Sequence, residues 1–434
     1  MKNAFASILL IIIVFSSILA QDDIAFYSQK ALRTQNRIYN PDIKTVLIFP
    51  TGYPLEMPVI SLNSDKTLQL QFDDLAGGVK NFQYTFLHCD ANWEPSQLRM
   101  NEYMEGFDSD EIRDYKFSFN TTTSYTHYSL IFPNDRIRLT KSGNYLLVVY
   151  LDSPTQPEFS LRFIIYEPRV IIQDVKIGRA HLPAYMNTKH EVDFTIRPVK
   201  YKIPVPDRDL TIVILQNWRW DNALTIKQPR NITPDLLDYD YEEENLFDAG
   251  NQYRSVDIKS LRYRSEYIAD ILYLADGYHV VMQLDRIKAG KPFVNDPDLN
   301  GRLYIKTEDM EHSETEADYA MVHFSLPLGY PLAHASIFIM GELTGNSLQP
   351  EAKMIYNYET MRYEGSLRLK QGYYNYIYVV ANHESGAGDT SIIEGNFWET
   401  DNEYTILVYH REPGEIFDKL VGYYQSGNEY SPKQ

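Results

Sequence analysis

Cysteine is almost missing from this chain of 434 residues: Cys89 is the only one, which excludes an internal disulfide and leaves burial to hold the fold. Basic residues are outnumbered, with 41 lysines and arginines against 59 aspartates and glutamates and a net charge of −18. A surface of that sign repels phosphate backbones and anionic lipid unless cations cluster, and no block of them occurs. Nucleic acid is excluded as a partner on that ground. No run after the first twenty residues approaches the roughly 18 apolar residues that a membrane-spanning helix needs. A Gly-rich phosphate loop, a Gly-x-Ser-x-Gly elbow, a Rossmann fingerprint and a His-x-x-x-His pair are all absent, so no cofactor is expected.

What is present begins with an export signal. Lys2 supplies a basic start, residues 8–15 with Ile18 and Leu19 an apolar core, and Ala20 before Gln21 a small residue for cleavage. No cysteine follows that stretch to carry a lipid, so the mature chain is expected beyond the inner membrane without an anchor. Thirty-five tyrosines, with Val, Ile, Thr and Phe, favour pleated, half-buried surfaces. Leu68, Leu70 and Phe72 alternate with Gln69, Gln71 and Asp73, while Phe82, Tyr84, Phe86 and His88 share one face of the next segment. Residues 145–151 and 161–166 are nearly continuous apolar runs of central-strand length, punctuated by Gly143-Asn144 and Pro154.

The expected fold is all-β: tandem immunoglobulin-like β-sandwich domains with few helices. A signal peptide over 1–20 precedes an N-terminal β-sandwich over 21–168, closed by Glu167-Pro168. A middle β-rich domain follows over 169–312, with strand runs at 170–177, 192–196, 210–215, 278–284 and 302–305, and an acidic insert at 235–244. The charged stretch 308–316 reads as a linker into a C-terminal immunoglobulin-like, early-set sandwich over 313–412, and 413–434 is left as a tail. In that sandwich, strand runs at 334–340, 354–358, 365–369 and 373–380 are separated by turns at short spacing.

One run holds every residue type an active site wants: Tyr84-Thr-Phe-Leu-His-Cys-Asp-Ala-Asn-Trp-Glu-Pro-Ser96, with Ser118 to Tyr128, Phe132-Pro-Asn134 and residues 142–150 behind it. His88 beside Cys89 suggests a thiol nucleophile, but neighbours on a strand point to opposite faces, so only a distant base such as His127 remains for it. A lone cysteine in an exported protein is more simply a small buried hydrophobe. His88, Asp90 and Glu94 are the residue types of a divalent-metal site, while Asp90 and Asn92 also make turns, with Trp93 and Pro95 covering a core edge. Asp296-Pro-Asp-Leu-Asn-Gly301 matches the opening half of a calcium loop, but the twelfth position is Thr307 and Glu308 comes one residue late, so a turn at Asn300-Gly301 is preferred. The acidic insert reads as a solvated loop ahead of a docking loop. Asn120-Thr-Thr and Asn231-Ile-Thr fit the glycosylation pattern without further support. No catalytic, cofactor-binding or metal residue is assigned, and the sequence does not locate a partner-binding surface.

The 84–150 run also resembles the N-terminal part of the Plug family of the Bacteroidetes type IX secretion system. The resemblance extends to Asp298-Leu-Asn-Gly301, Gly341-Glu-Leu, Met354-Ile-Tyr-Asn357, Leu369-Lys-Gln-Gly-Tyr-Tyr-Asn-Tyr376 and Phe417-Asp-Lys-Leu-Val-Gly422. It implies a non-enzymatic periplasmic protein that binds and seals the periplasmic end of the giant outer-membrane translocon barrel, SprA-like, when no substrate is in transit. It further implies association with the outer membrane through that partner and no small-molecule substrate. A second layout, that of starch- and glycogen-binding domains, resembles the C-terminal sandwich and implies an exported glycan-binding protein. Tyr356 and Tyr358 would carry that activity, although Ser347 and Leu348 stand where such domains have a tryptophan.

Overall fold

The alternation at 68–72 becomes the strand Leu68–Asp74, whose Leu68, Leu70 and Phe72 are fully buried. In the computed structural model, which describes residues 31–382 and 388–427, this strand lies in a sheet ordered Ile43–Pro50, Leu68–Asp74, Thr126–Phe132, Asp114–Phe117. The signal expected over 1–20 lies outside the described residues. A second sheet, ordered Arg37–Ile38, Pro157–Tyr166, Gly143–Tyr150, Gln83–Cys89, Asp110–Glu111, supplies Tyr84, Phe86, Tyr145, Leu147, Val149, Phe159 and Phe163 to the same core. Two sheets enclosing one aromatic layer make a sandwich, and each ring removed from water contributes roughly 1.5–3 kcal/mol. Buried tyrosines keep a polar partner: Tyr145 donates to the Lys141 carbonyl at 2.8 Å and Tyr103 to that of Phe86 at 3.1 Å. Gly143–Tyr150 is buried at every residue because its other face, Leu146, Val148 and Tyr150, is covered too.

The next strands form a second two-sheet unit, but the chain does not complete it in sequence order. One sheet holds Val170–Arg179, Lys189–Pro198, Leu237–Asp238 and Asn231–Ile232, with Leu246–Asp248 also beside Lys189–Pro198. The other is ordered Arg219–Ile226, Leu210–Gln216, Tyr404–His410, Lys419–Gln425. Residues 413–434, expected as a tail, thus contain a strand of this sheet. Leu210–Gln216 is buried throughout, with Ile212 and Ile214 in one core and Val213 and Leu215 in another, so both its edges require partners. The acidic insert is corrected as well: Leu237 and Tyr239 are core residues, and its exposed acidic side chains are Asp235 and Glu242 to Glu244 at the two ends.

The remaining strands cross the boundary expected at residue 312. Arg254–Asp257 pairs with Gly372–Asn382, and Gly277–Met282 runs parallel to Tyr319–Pro327. The expected strands at 334–340, 354–358, 365–369 and 373–380 appear as Ala335–Met340, Lys353–Asn357, Arg362–Lys370 and Gly372–Asn382. Their inward residues, among them Val280, Val322, Phe324, Ile337, Ile339, Met354 and Tyr376, share one core. The stretch 308–316 is not a free linker. Asp309 accepts hydrogen bonds from Ser260, the Leu261 N–H and Gln371, so its polarity satisfies groups of the neighbouring sheet. Helices are limited among the described residues to Met100–Tyr103, Pro206–Asp209 and Ser313–Glu316, four residues each, with two short 3₁₀ turns.

Candidate functional site

The reactive side chains of the opening run are separated and buried. His88 and Cys89 are both fully buried on Gln83–Cys89. His88 donates from Nε2 to the Ser142 carbonyl at 3.1 Å and packs edge-on to Tyr145, and burial pushes its imidazole down to about 4. Burial pushes the Cys89 thiol up to about 12, which removes the thiolate that nucleophilic chemistry requires. His127, the distant base considered for it, belongs to the opposite sheet and bonds Asp73 at 2.7 Å instead. Asp90 does not join His88 as a ligand: its Oδ1 accepts the N–H groups of Asn92 and Glu94 and builds the turn.

This run proves to be the seat of the second unit. Trp93 takes a left-handed φ of 65°, which brings its ring edge-on to Trp220 at 5.0 Å and beneath the Arg162 guanidinium at 4.2 Å. The Ala91 N–H donates to Asp418 at 2.9 Å, and Tyr409 donates to Asn144 at 2.7 Å. Met57, Val59, Ala91 and Ile164 meet Val213, Leu215, Leu407 and Leu420 in a shared apolar seam. The signature strings around residues 90 and 418 therefore pack against each other.

A second group of strings converges at residues 298–301. Asp298 accepts the N–H of Asn300 at 2.6 Å and of Tyr253 at 2.5 Å, and burial pushes its carboxyl up to about 6. Asn300, at φ 52°, and Gly301, at φ 85°, turn the chain so that the Gly301 carbonyl accepts from Glu342. The Glu342 carboxylate accepts the Leu303 N–H at 2.8 Å, and burial pushes it up to about 7. Thr307, at the position of the closing calcium ligand, receives the Asp309 N–H on its hydroxyl. The string that opened like a calcium loop is here a hydrogen-bonded knot with Gly341 and Asn375.

Sequence reasoning missed the contact between the first and third units. Asp73, fully buried, receives Lys370 Nζ at 2.6 Å, His127 at 2.7 Å and the Tyr319 hydroxyl at 2.6 Å. Burial alone raises this carboxyl, but Lys370 and His127 outweigh it and hold it below the ordinary carboxylate range. Asp318 adds acceptors for the N–H groups of Thr122 and Thr123. Lys370 sits in a stretch that reads as a turn, and only its removal from water in three dimensions marks it.

Large rings are exposed away from these contacts. Asp114–Phe117 ends its sheet, all four residues are exposed, and Tyr115, Phe117 and Phe119 present their rings to solvent. An exposed strand edge flanked by aromatics is a surface on which another chain adds. Tyr358 is exposed as well, but its ring stands at 81° to that of Tyr356, whose hydroxyl donates to the Leu328 carbonyl, so the pair presents no flat platform for a sugar.

The family model described as the first domain of the type 9 secretion system plug protein matches residues 43–167. The whole chain is similar to the crystal structure of a hypothetical protein from Parabacteroides merdae ATCC 43184, at 36% identity and a TM-score of 0.87. That likeness covers 91% of this chain and 99% of the other. The chain belongs to the type IX secretion system plug family. No curated protein matches it. In this plug-family protein the matched segment is the two-sheet unit over which Trp93 and Asp73 join the rest of the molecule. No helix among the described residues is long and apolar enough to cross a membrane.

Proposed function

We propose that this protein is a non-enzymatic periplasmic plug, which binds the periplasmic end of the giant outer-membrane barrel of the type IX secretion system and seals it when no substrate is in transit. Family membership carries this reading, and the architecture supports it. A pore wide enough for folded cargo leaks unless a rigid body closes it, and a flexible chain would lose ordering entropy on docking that a prefolded surface has already given up. Three units joined through Trp93 and Asp73 meet that requirement. The edge strand Asp114–Phe117 supplies unpaired backbone, with Tyr115, Phe117 and Phe119 as anchors.

Affinity purification from outer-membrane extracts should bring down a very large barrel protein, and the combined change Phe117→Ser, Phe119→Ser should weaken that capture about tenfold, as expected for one or two lost aromatic anchors. Deleting the protein should leave secretion partly working and make the outer membrane permeable to large solutes. Unchanged permeability in cells whose translocon still opens would overturn the sealing role.

A further inference from the structure

Two carboxylates of the second unit lie side by side with only a histidine to hold them. Glu191 and Asp193 are two residues apart on Lys189–Pro198, so they project from one face, and each is only 5% exposed. Among the described residues neither forms an ion pair with a lysine or arginine, although the exposed Lys176 is the cross-strand neighbour of Asp193. Glu191 is met by His181, whose Nδ1 lies 2.9 Å from Oε1 and whose backbone N–H donates to Oε2 at 2.9 Å. Asp193 is met by the Asn245 amide, which donates to Oδ1 at 2.7 Å. Buried charges persist when they are paired or when they coordinate a metal; Glu191 has its pair in His181, whereas Asp193 forms no ion pair among the described residues.

Two further observations point to a cation. One ligand atom each from His181, Glu191 and Asp193 falls within 4.8 Å of the others. Asn245, fully buried with its head group against Asp193, has an Oδ1 atom without a partner. His181 closes the group from the solvent side, since its ring is largely exposed while the carboxylates are not.

We infer that His181, Glu191 and Asp193 form a binding site for a divalent transition cation of the zinc class. An imidazole with two carboxylates suits Zn²⁺ or Mn²⁺, whereas Ca²⁺ selects six to eight oxygens. With ligand distances of about 2.0–2.2 Å, a tetrahedral ion would open the His181–Glu191 contact to roughly 3.3 Å, a small ring movement at an exposed residue, and leave its outer position to water. The bound ion would clip the connection between Val170–Arg179 and Lys189–Pro198 onto the sheet, because His181 lies in that connection.

Isothermal titration of the full, tag-free, metal-stripped protein with Zn²⁺ and with Mn²⁺ tests the site. One equivalent should bind, and His181→Ala and Asp193→Asn should each weaken it at least tenfold. His181→Ala removes only an exposed ring, so that variant should fold and should also lose the rise in melting temperature that Zn²⁺ gives the parent. Absence of saturable binding, or binding and stabilisation unaltered in both variants, would overturn the assignment. So would equal Ca²⁺ binding by the parent and His181→Ala, because a carboxylate-only site would then account for it.

Discussion

His88 and Cys89 are neighbours in the chain, yet burial moves them in opposite directions, the imidazole down to about 4 and the thiol up to about 12, because each surrounding penalises the charged form. For His88 the folded value lies below the unfolded one, so its effect on stability is nil above the ordinary histidine range. As pH falls from 6.5 towards 4, the unfolded chain takes up a proton that the folded chain refuses, and stability declines. A gap of that size corresponds to about 3 kcal/mol. Other buried carboxyls, Asp298 and Glu342 among them, titrate with the opposite sign in this window, so the comparison must be with a variant. Urea unfolding at pH 7 and pH 4.5 should show the parent losing about 2.5 kcal/mol more than His88→Gln between the two, from the same linkage. Alternation in the sequence was enough to part these two side chains. It did not disclose what buries them, because Ser142 and Phe417 arrive from other strands.

At the scale of elements, strands with a clear period of two were legible, and Leu68–Asp74 and Gln83–Cys89 are found within a residue or two of their expected places. Their pairing was not legible. Nothing local distinguishes Lys419–Gln425 from a tail, since its partner is Tyr404–His410 and the core it covers begins at Val170. Residues 308–316 misled for a related reason: the Asp309 carboxylate, which looks solvated, accepts from the Leu261 N–H and the Gln371 side-chain amide of other segments. Turns carry constraint where strands cross closely. A Cβ at Gly341 would lie 2.5 Å from the Asn375 carbonyl oxygen and 3.3 Å from that of Gly301, and backbone cannot move aside as a side chain can. Gly341→Ala should therefore lower stability by about 1–3 kcal/mol in denaturant titration, the usual cost of overpacking. A change within a few tenths of the parent would mean that the knot is looser than drawn.

Across the whole molecule the buried contact of Asp73 with Lys370 ties the first unit to the third. Replacing one partner strands the other charge away from water, so Lys370→Met should cost about 3–5 kcal/mol. It should also loosen the junction, read as faster proteolysis between the units. The pair Asp73→Leu, Lys370→Met should recover most of that loss, since a buried ion pair and an apolar pair of similar volume are often close in energy. If the double variant is as unstable as the sum of its parts, the contact with Tyr319 and His127 matters more than the charge pair.

The return of Tyr404–His410 and Lys419–Gln425 to the second unit has a consequence for synthesis. A chain is made amino end first, and Leu210 must wait for His410 before its sheet can close. Until then a strand with two apolar faces offers an open edge, the surface on which aggregation and proteases act. A copy cut short before Tyr404 keeps that edge permanently. The sheet of the second unit thus closes only after the chain beyond residue 404 has been made.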